Sequence, residues 1–305
     1  MFRRAPRKQP GTQKAVHGRN LIAAIASAAT LVLLTLNGAR AFDDAKYPDW
    51  KGQWIGGWTK RFPGVTGQPS YDPHKSDGRG QQAPLTPEYQ AVFETSLRDQ
   101  AAGGPGNDPQ VGCLPSGMPR MMIAYYPMEI IITPDTTHLL MEHIHNFRRI
   151  YTDGRDWPKE IIPSFAGYSI GKWIDEGVAG RYNLLEVETR GLKGPRVFDS
   201  TGLPLHKDNQ TIVKERIYQD KADPNLLYDE ITTIDHALTR PWTATKNYRR
   251  SAAAQPVWQE FVCAENNPWL TIGKDTYFMS SDGYLMPTKK GQSPPDTRYF
   301  DPSRK

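Results

Sequence analysis

The chain has 305 residues, with 38 Lys and Arg against 33 Asp and Glu, a formal charge of +5. Seven of those positives and no acid fall in residues 1–41, so the remainder is close to −2. No basic stripe is left to track a phosphate backbone, which argues against a nucleic-acid partner.

Residues 1–41 have the three parts of a secretory signal. Arg3, Arg4, Arg7, Lys8, Lys14 and Arg19 form a positive start, an apolar run covers Leu21 to Leu36, and Ala39-Arg40-Ala41 is a small-x-small site. Cleavage after Ala41 and a periplasmic or secreted location are expected. The alternative is a retained anchor, but a bilayer span wants about 20 apolar residues, and this run is shorter.

Residues 42–110 read as a Gly/Pro/Trp-rich arm. Trp50, Trp54 and Trp58 recur every four residues, but the interleaved glycines favour an extended clasp over a helix. A helix is expected at 85–100, where Thr86 caps, Pro87 suits the first turn, and Tyr89, Val92, Phe93 and Leu97 share a face. The region 111–274 reads as an antiparallel β domain of successive hairpins. Met128–Thr133 is expected to pair with His138–Tyr151, Tyr168–Ile174 with Leu184–Thr189, and Thr211–Gln219 with Leu226–Asp235. Val257–Cys263 is a further expected strand, and 275–305 an extended tail. The fold class is therefore mainly β: a meander closing into a lipocalin-like barrel or packing as a sandwich, with one N-terminal helix and extended terminal arms. Without βαβ alternation or GxGxxG, a dinucleotide fold is not supported.

The two cysteines, Cys113 and Cys263, lack zinc-type spacing and are expected to form a disulfide after export. The densest chemical cluster is Glu142-His143-Ile144-His145. In a continuous strand both imidazoles share a face with Met141 and Phe147, which would aim them into a barrel. They are half of a transition-metal site, with His206, Glu188 or His236 as a possible third ligand, or they serve proton transfer, or they are satisfied locally. Glu186 and Glu188 alternate with aliphatics, as on a wet sheet face. Glu215 sits between Val213 and Ile217 on its own face and calls for an arginine, Arg148 or Arg155.

Several runs resemble a family of secreted bacterial β-rich proteins whose activity is uncharacterised. They include Cys113-Leu114-Pro115 with Gly117-Met118-Pro119-Arg120, Arg149 to Arg155, Gly167 to Trp173, Lys214-Glu215-Arg216 and Pro241-Trp242-Thr243. The chain departs from the pattern in a Gly-rich insertion at 175–181 and in Asp156-Trp157 before Pro158. The resemblance implies an exported, mostly antiparallel β protein and brings no reaction.

Two functional readings follow. In the first, the protein binds a small apolar or aromatic molecule, with Arg148, Tyr151, Arg155, Trp173, Glu188, Glu215 and Trp242 as the lining. In the second, it is a lyase, isomerase or hydrolase using His143, His145, Glu142, His206 and Asp235, without an organic cofactor and with a metal optional. A third class, an envelope assembly partner, would use the Trp-rich arm and Pro-rich tail. No stable membrane span is expected after cleavage, and the oligomeric state is open.

Overall fold

The computed structural model describes residues 42–56, 83–123, 126–143, 146–177, 180–199, 201–265 and 268–296. The expected signal segment, Trp58 and His145 lie outside them. Asp44–Lys305 is one compact unit, and every strand among the described residues belongs to it. Among the described residues no helix is long and apolar enough to cross a membrane.

Nine strands close into a barrel in sequential order. They are β1 (Gln53–Gly56), β2 (Met128–Ile132), β3 (Thr136–Met141), β4 (Phe147–Tyr151), β5 (Tyr168–Ile174), β6 (Leu184–Arg190), β7 (Ile212–Gln219), β8 (Leu226–Ile234) and β9 (Trp242–Arg250). A ring whose neighbours all run antiparallel needs an even number of strands. Nine close here because β4 and β5 run parallel, through Ile150 opposite Ser169 and Tyr151 opposite Ile170. The connection 152–167 supplies the crossover that a parallel pair requires. β9 completes the ring against β1, with Trp54 opposite Arg250 and Gly56 opposite Tyr248.

Period-two alternation sets the inner wall. Val213, Glu215 and Ile217 of β7 are buried, as are Leu227, Asp229, Ile231 and Thr233 of β8, while Lys214 and Arg216 face outward. Gly171 is required on this wall, because a Cβ there would stand 2.5 Å from Ile150 Cγ2. One end of the barrel, where β7 and β9 begin, is closed by Phe198 against Trp242, with ring centroids 4.3 Å apart. The other is closed by Trp50 against Trp173 at 4.9 Å, with Tyr47 edge-on to Trp173 at 5.4 Å. The buried Trp50 and Trp54 thus act as the clasp, and Trp54 Nε1 donates to Trp50 O at 2.9 Å.

Helix α1 (Pro87–Ala101) follows the sequence reading, with Thr86 Oγ1 accepting from Tyr89 N at 3.4 Å. Its buried face is narrower than the periodicity suggests: Phe93 and Ser96 are buried, but Val92 is exposed. A short helix α2 (Arg120–Ile123) places Met121 and Met122 in the core.

Four expectations change. The expected strand 138–151 is two strands broken at 142–146, where Met141 N donates to Asn146 O and Glu142 N to Pro127 O. The break reverses the side-chain parity, so Phe147 is exposed and Arg148 is buried. β9 was not foreseen as a strand, and Val257–Cys263 is not one: 251–262 run as irregular chain. Residues 275–287, expected as part of an extended tail, contain β11 (Asp275–Met279) and β12 (Leu285–Pro287), which form a separate sheet with β10 (Trp269–Ile272).

Candidate functional site

The barrel interior holds a buried polar cluster rather than an apolar cup. Arg148 Nε donates to Ser169 Oγ at 3.1 Å, Nη2 to Thr189 Oγ1 at 2.7 Å and Nη1 to Glu215 Oε1 at 2.7 Å. Nη2 also donates to Glu215 Oε2, so four of the five guanidinium N–H groups are engaged. The arginine partner that Glu215 called for is therefore Arg148. Neighbouring Asp229 is raised well above the usual carboxylate range by burial and by Glu215, with Arg148 opposing. Among the described residues neither Asp229 oxygen has a hydrogen-bond partner, and burial there favours the protonated carboxyl. Lys246, opposite Asp229 in the register, is lowered to about 8 by burial, with Asp199 working the other way. Tyr248, also raised by burial, donates its hydroxyl to Met122 O. The Arg148–Glu215 pair is thus well partnered and ties β4, β5, β6 and β7 together, while the Asp229 oxygens and Thr233 Oγ1 are buried without a partner among the described residues.

A second group lies at the end of the barrel where β7 starts and β8 finishes. Asp235 Oδ1 accepts from His206 N and Ala237 N, both at 2.8 Å, and Oδ2 accepts from Thr211 Oγ1. Arg196 donates to Leu192 O at 3.0 Å and to Thr211 Oγ1 at 2.6 Å. Asp235 therefore ties His206 and Thr211 to the end of β8. The His206 ring packs 5.4 Å from Tyr89 and 5.5 Å from His236.

The third group surrounds His143, in the turn between β3 and β4. Its ring stacks on Phe261 at 5.0 Å and 20°, and lies 4.2 Å from Tyr126. Gln110 Nε2 stands 3.2 Å from His143 Nε2. Burial, and secondarily Arg120, lowers His143 to about 4, so the imidazole is neutral at ordinary pH. Arg120 itself makes a bidentate pair with Asp108. Phe261 and Gln110, which both meet His143, also line a cleft of about 300 Å³ together with Asp108, Val111, Cys263, Pro268 and Trp269. Cys113 and Cys263 stand at disulfide distance with Cα atoms 5.6 Å apart, joining the two segments that form its walls. Trp269 also contacts Phe278 edge-on at 5.8 Å, and Phe278 and Met286, paired across β11 and β12, are exposed.

Comparison with known protein families and with curated proteins finds no match. The geometry must therefore speak for itself.

The expected catalytic set does not converge. His143 follows β3, whereas His206 and Asp235 flank β7 and β8, about as far round a nine-strand ring as it permits. Buried Glu142 accepts from Gln259 N at 3.1 Å. Of the expected lining, Arg148 and Glu215 are in the interior, and Trp173 and Trp242 close opposite ends of the barrel. Glu188 lies on the outer wall, paired with Arg190 and with Lys214 at 3.4 Å, as expected for a wet face. Tyr151 and Arg155 form an outer stack in which the Arg155 guanidinium lies 3.8 Å over the Tyr151 ring, and Tyr151 meets Tyr168 at 5.0 Å. Arg155 is also held by Asp153. Gln110, Val111, Phe261 and Trp269 were missed. A signal was present: Val111 and Phe261 each stand two residues before a cysteine, so the expected bridge already implied that they meet.

Proposed function

We propose that this is an exported binding protein for a small apolar molecule, of about the size of a single aromatic ring, and that the ligand sits in the cleft between Val111, Phe261 and Trp269. The supporting observation is the cleft itself. Its roughly 300 Å³ is at the lower end of ligand pockets, and its walls are mostly apolar with two polar groups, Asp108 and Gln110. A closed apolar cavity of about 150 Å³ already accepts benzene, so a monocyclic ligand fits this volume. His143, stacked on Phe261 and lowered to about 4, adds no charge beside the cleft at ordinary pH. Export is supported by the N-terminal charge and apolar pattern and by the cysteine pair at disulfide distance.

The binding place differs from a lipocalin-like lumen. A charged, hydrogen-bonded cluster occupies the barrel's middle, and aromatic contacts close its ends. The cleft is a lateral site on the outside of one end. The enzyme reading would need His143, Glu142, His206 and Asp235 around one cavity, and they fall into separate groups.

The test is calorimetric titration of the mature chain with phenol and with toluene, paired with Val111→Trp, which fills the cleft from a half-buried position in the 3-10 turn Pro109–Gly112. Saturable one-to-one binding, weakened at least tenfold by the substitution, supports the reading. Absence of saturable binding, or binding that Val111→Trp leaves unchanged, refutes it.

A further inference from the structure

Away from the cleft, His206, Asp208 and His236 each offer a ligand atom, and these atoms all lie within 4.8 Å of one another. We propose that they form a binding site for a divalent transition-metal ion of the Zn²⁺ class.

The donor set argues for that class. Two imidazoles with one carboxylate suit zinc, copper, nickel or iron, whereas calcium and magnesium want mostly oxygen. The spacing suits it too. Asp208 Oδ2 lies 3.2 Å from His206 Nδ1 and 2.5 Å from His236 Nδ1, and the two rings stand at 82° to each other. Ligands about 2.0–2.2 Å from a tetrahedral zinc are roughly 3.3–3.5 Å apart, so the three side chains need to move by about an ångström to receive the ion.

Two hydrogen bonds beneath the three residues are left untouched by a metal, while a third, from Asp208 N to His206 Nδ1 at 3.2 Å, is exchanged for the ion if Nδ1 is the ligand atom. His206 N donates to Asp235 Oδ1, and Gln210 N donates to Asp208 Oδ1 at 3.0 Å, which leaves Oδ2 for the ion. Tyr89 of α1 packs against the His206 ring and limits its rotation. The His206 and His236 side chains are 34% and 63% exposed, so an ion reaches them from solvent without opening the fold. Three protein ligands leave at least one coordination position for water or an outside donor.

This site shares no residue with the binding cleft, so either idea can fail alone. The experiment uses the mature chain without a polyhistidine tag, stripped with EDTA and dialysed. It is titrated with ZnCl₂ by calorimetry and with CoCl₂ by visible absorption. One equivalent of Zn²⁺ is expected, with Co²⁺ giving the strong visible bands of a four- or five-coordinate ion. His236→Gln and Asp208→Asn are each expected to weaken Zn²⁺ at least tenfold, while His138→Gln leaves it unchanged. The His236 ring is largely exposed, so His236→Gln folds and decides the matter even if His206→Gln does not. Absence of saturable Zn²⁺ binding, or binding equal in wild type and His236→Gln, overturns the proposal.

Discussion

Glu215→Gln is expected to destabilise the barrel more than any other single isosteric change on its inner wall. The side chains of Arg148 and Glu215 are 1% and 0% exposed. Removing one partner of such a pair strands the other charge, which typically costs about 3–5 kcal/mol. Ser169 and Thr189 still accept from the guanidinium in the variant, and the glutamine carbonyl replaces one carboxylate oxygen. The loss therefore belongs near the lower end, at about 3 kcal/mol. For a domain of this size that is roughly 6–12 °C in Tm. Urea unfolding followed by far-ultraviolet circular dichroism measures it, with an unchanged m-value showing that the unfolded state is not altered. Arg148→Met with Glu215→Leu removes both charges at once and is expected to regain at least half of the loss, because apolar replacements escape the desolvation cost. A loss below about 1 kcal/mol for Glu215→Gln, or a double variant as weak as the single one, would refute the claim that this pair organises the interior.

Three other outcomes are expected. Asp229 is raised above its ordinary value near 3.8, so its contribution to stability is full below that pH and is lost as pH rises through the folded-state value. Asp229→Asn should remove this part of the decline, seen as a flatter curve of unfolding free energy against rising pH. His143 is lowered from 6.5 to about 4, so its contribution is present above 6.5 and is lost as pH falls through about 4. His143→Gln should flatten the acid limb over that window, and the imidazole proton shifts should stay unchanged down to about pH 5. Gly171→Ala drives a methyl against Ile150 Cγ2 and is expected to cost about 1–3 kcal/mol, measured by thermal melting; a neutral result would mean that β4 and β5 can separate at no cost.

Much of the barrel is legible from residue alternation. Val213, Glu215 and Ile217 share the inner face as their spacing implies, and a carboxylate between two aliphatics correctly called for an arginine. The hairpins β5/β6 and β7/β8 show because their turns carry Gly, Asp and Pro between apolar runs. β9 hides because its inner face, Trp242, Ala244, Lys246 and Tyr248, mixes apolar and charged groups, while Thr243, Thr245 and Asn247 of the other face are buried as well. β1 hides because the three residues between Gly52 and Gly56 are too few to show a period; their strand character comes from β2 and β9 on either side. His143 was misplaced for a related reason. Glu142 and His143 continue the alternation of β3 on paper, but β3 ends at Met141, and the ring ends up among Gln110, Tyr126 and Phe261. The cleft was invisible except through the cysteines, since its walls come from segments about 150 residues apart.

The ring has a consequence in time as well as in space. β1 is the earliest strand to leave the ribosome, yet its partner β9 is almost the last, with Trp54 waiting for Arg250. Loop closure over that distance is slow relative to hairpin formation, so the intermediate hairpins form first and the circle shuts only when nearly the whole chain is present. The pairing that locks the barrel shut is thereby deferred until both of its strands have been made.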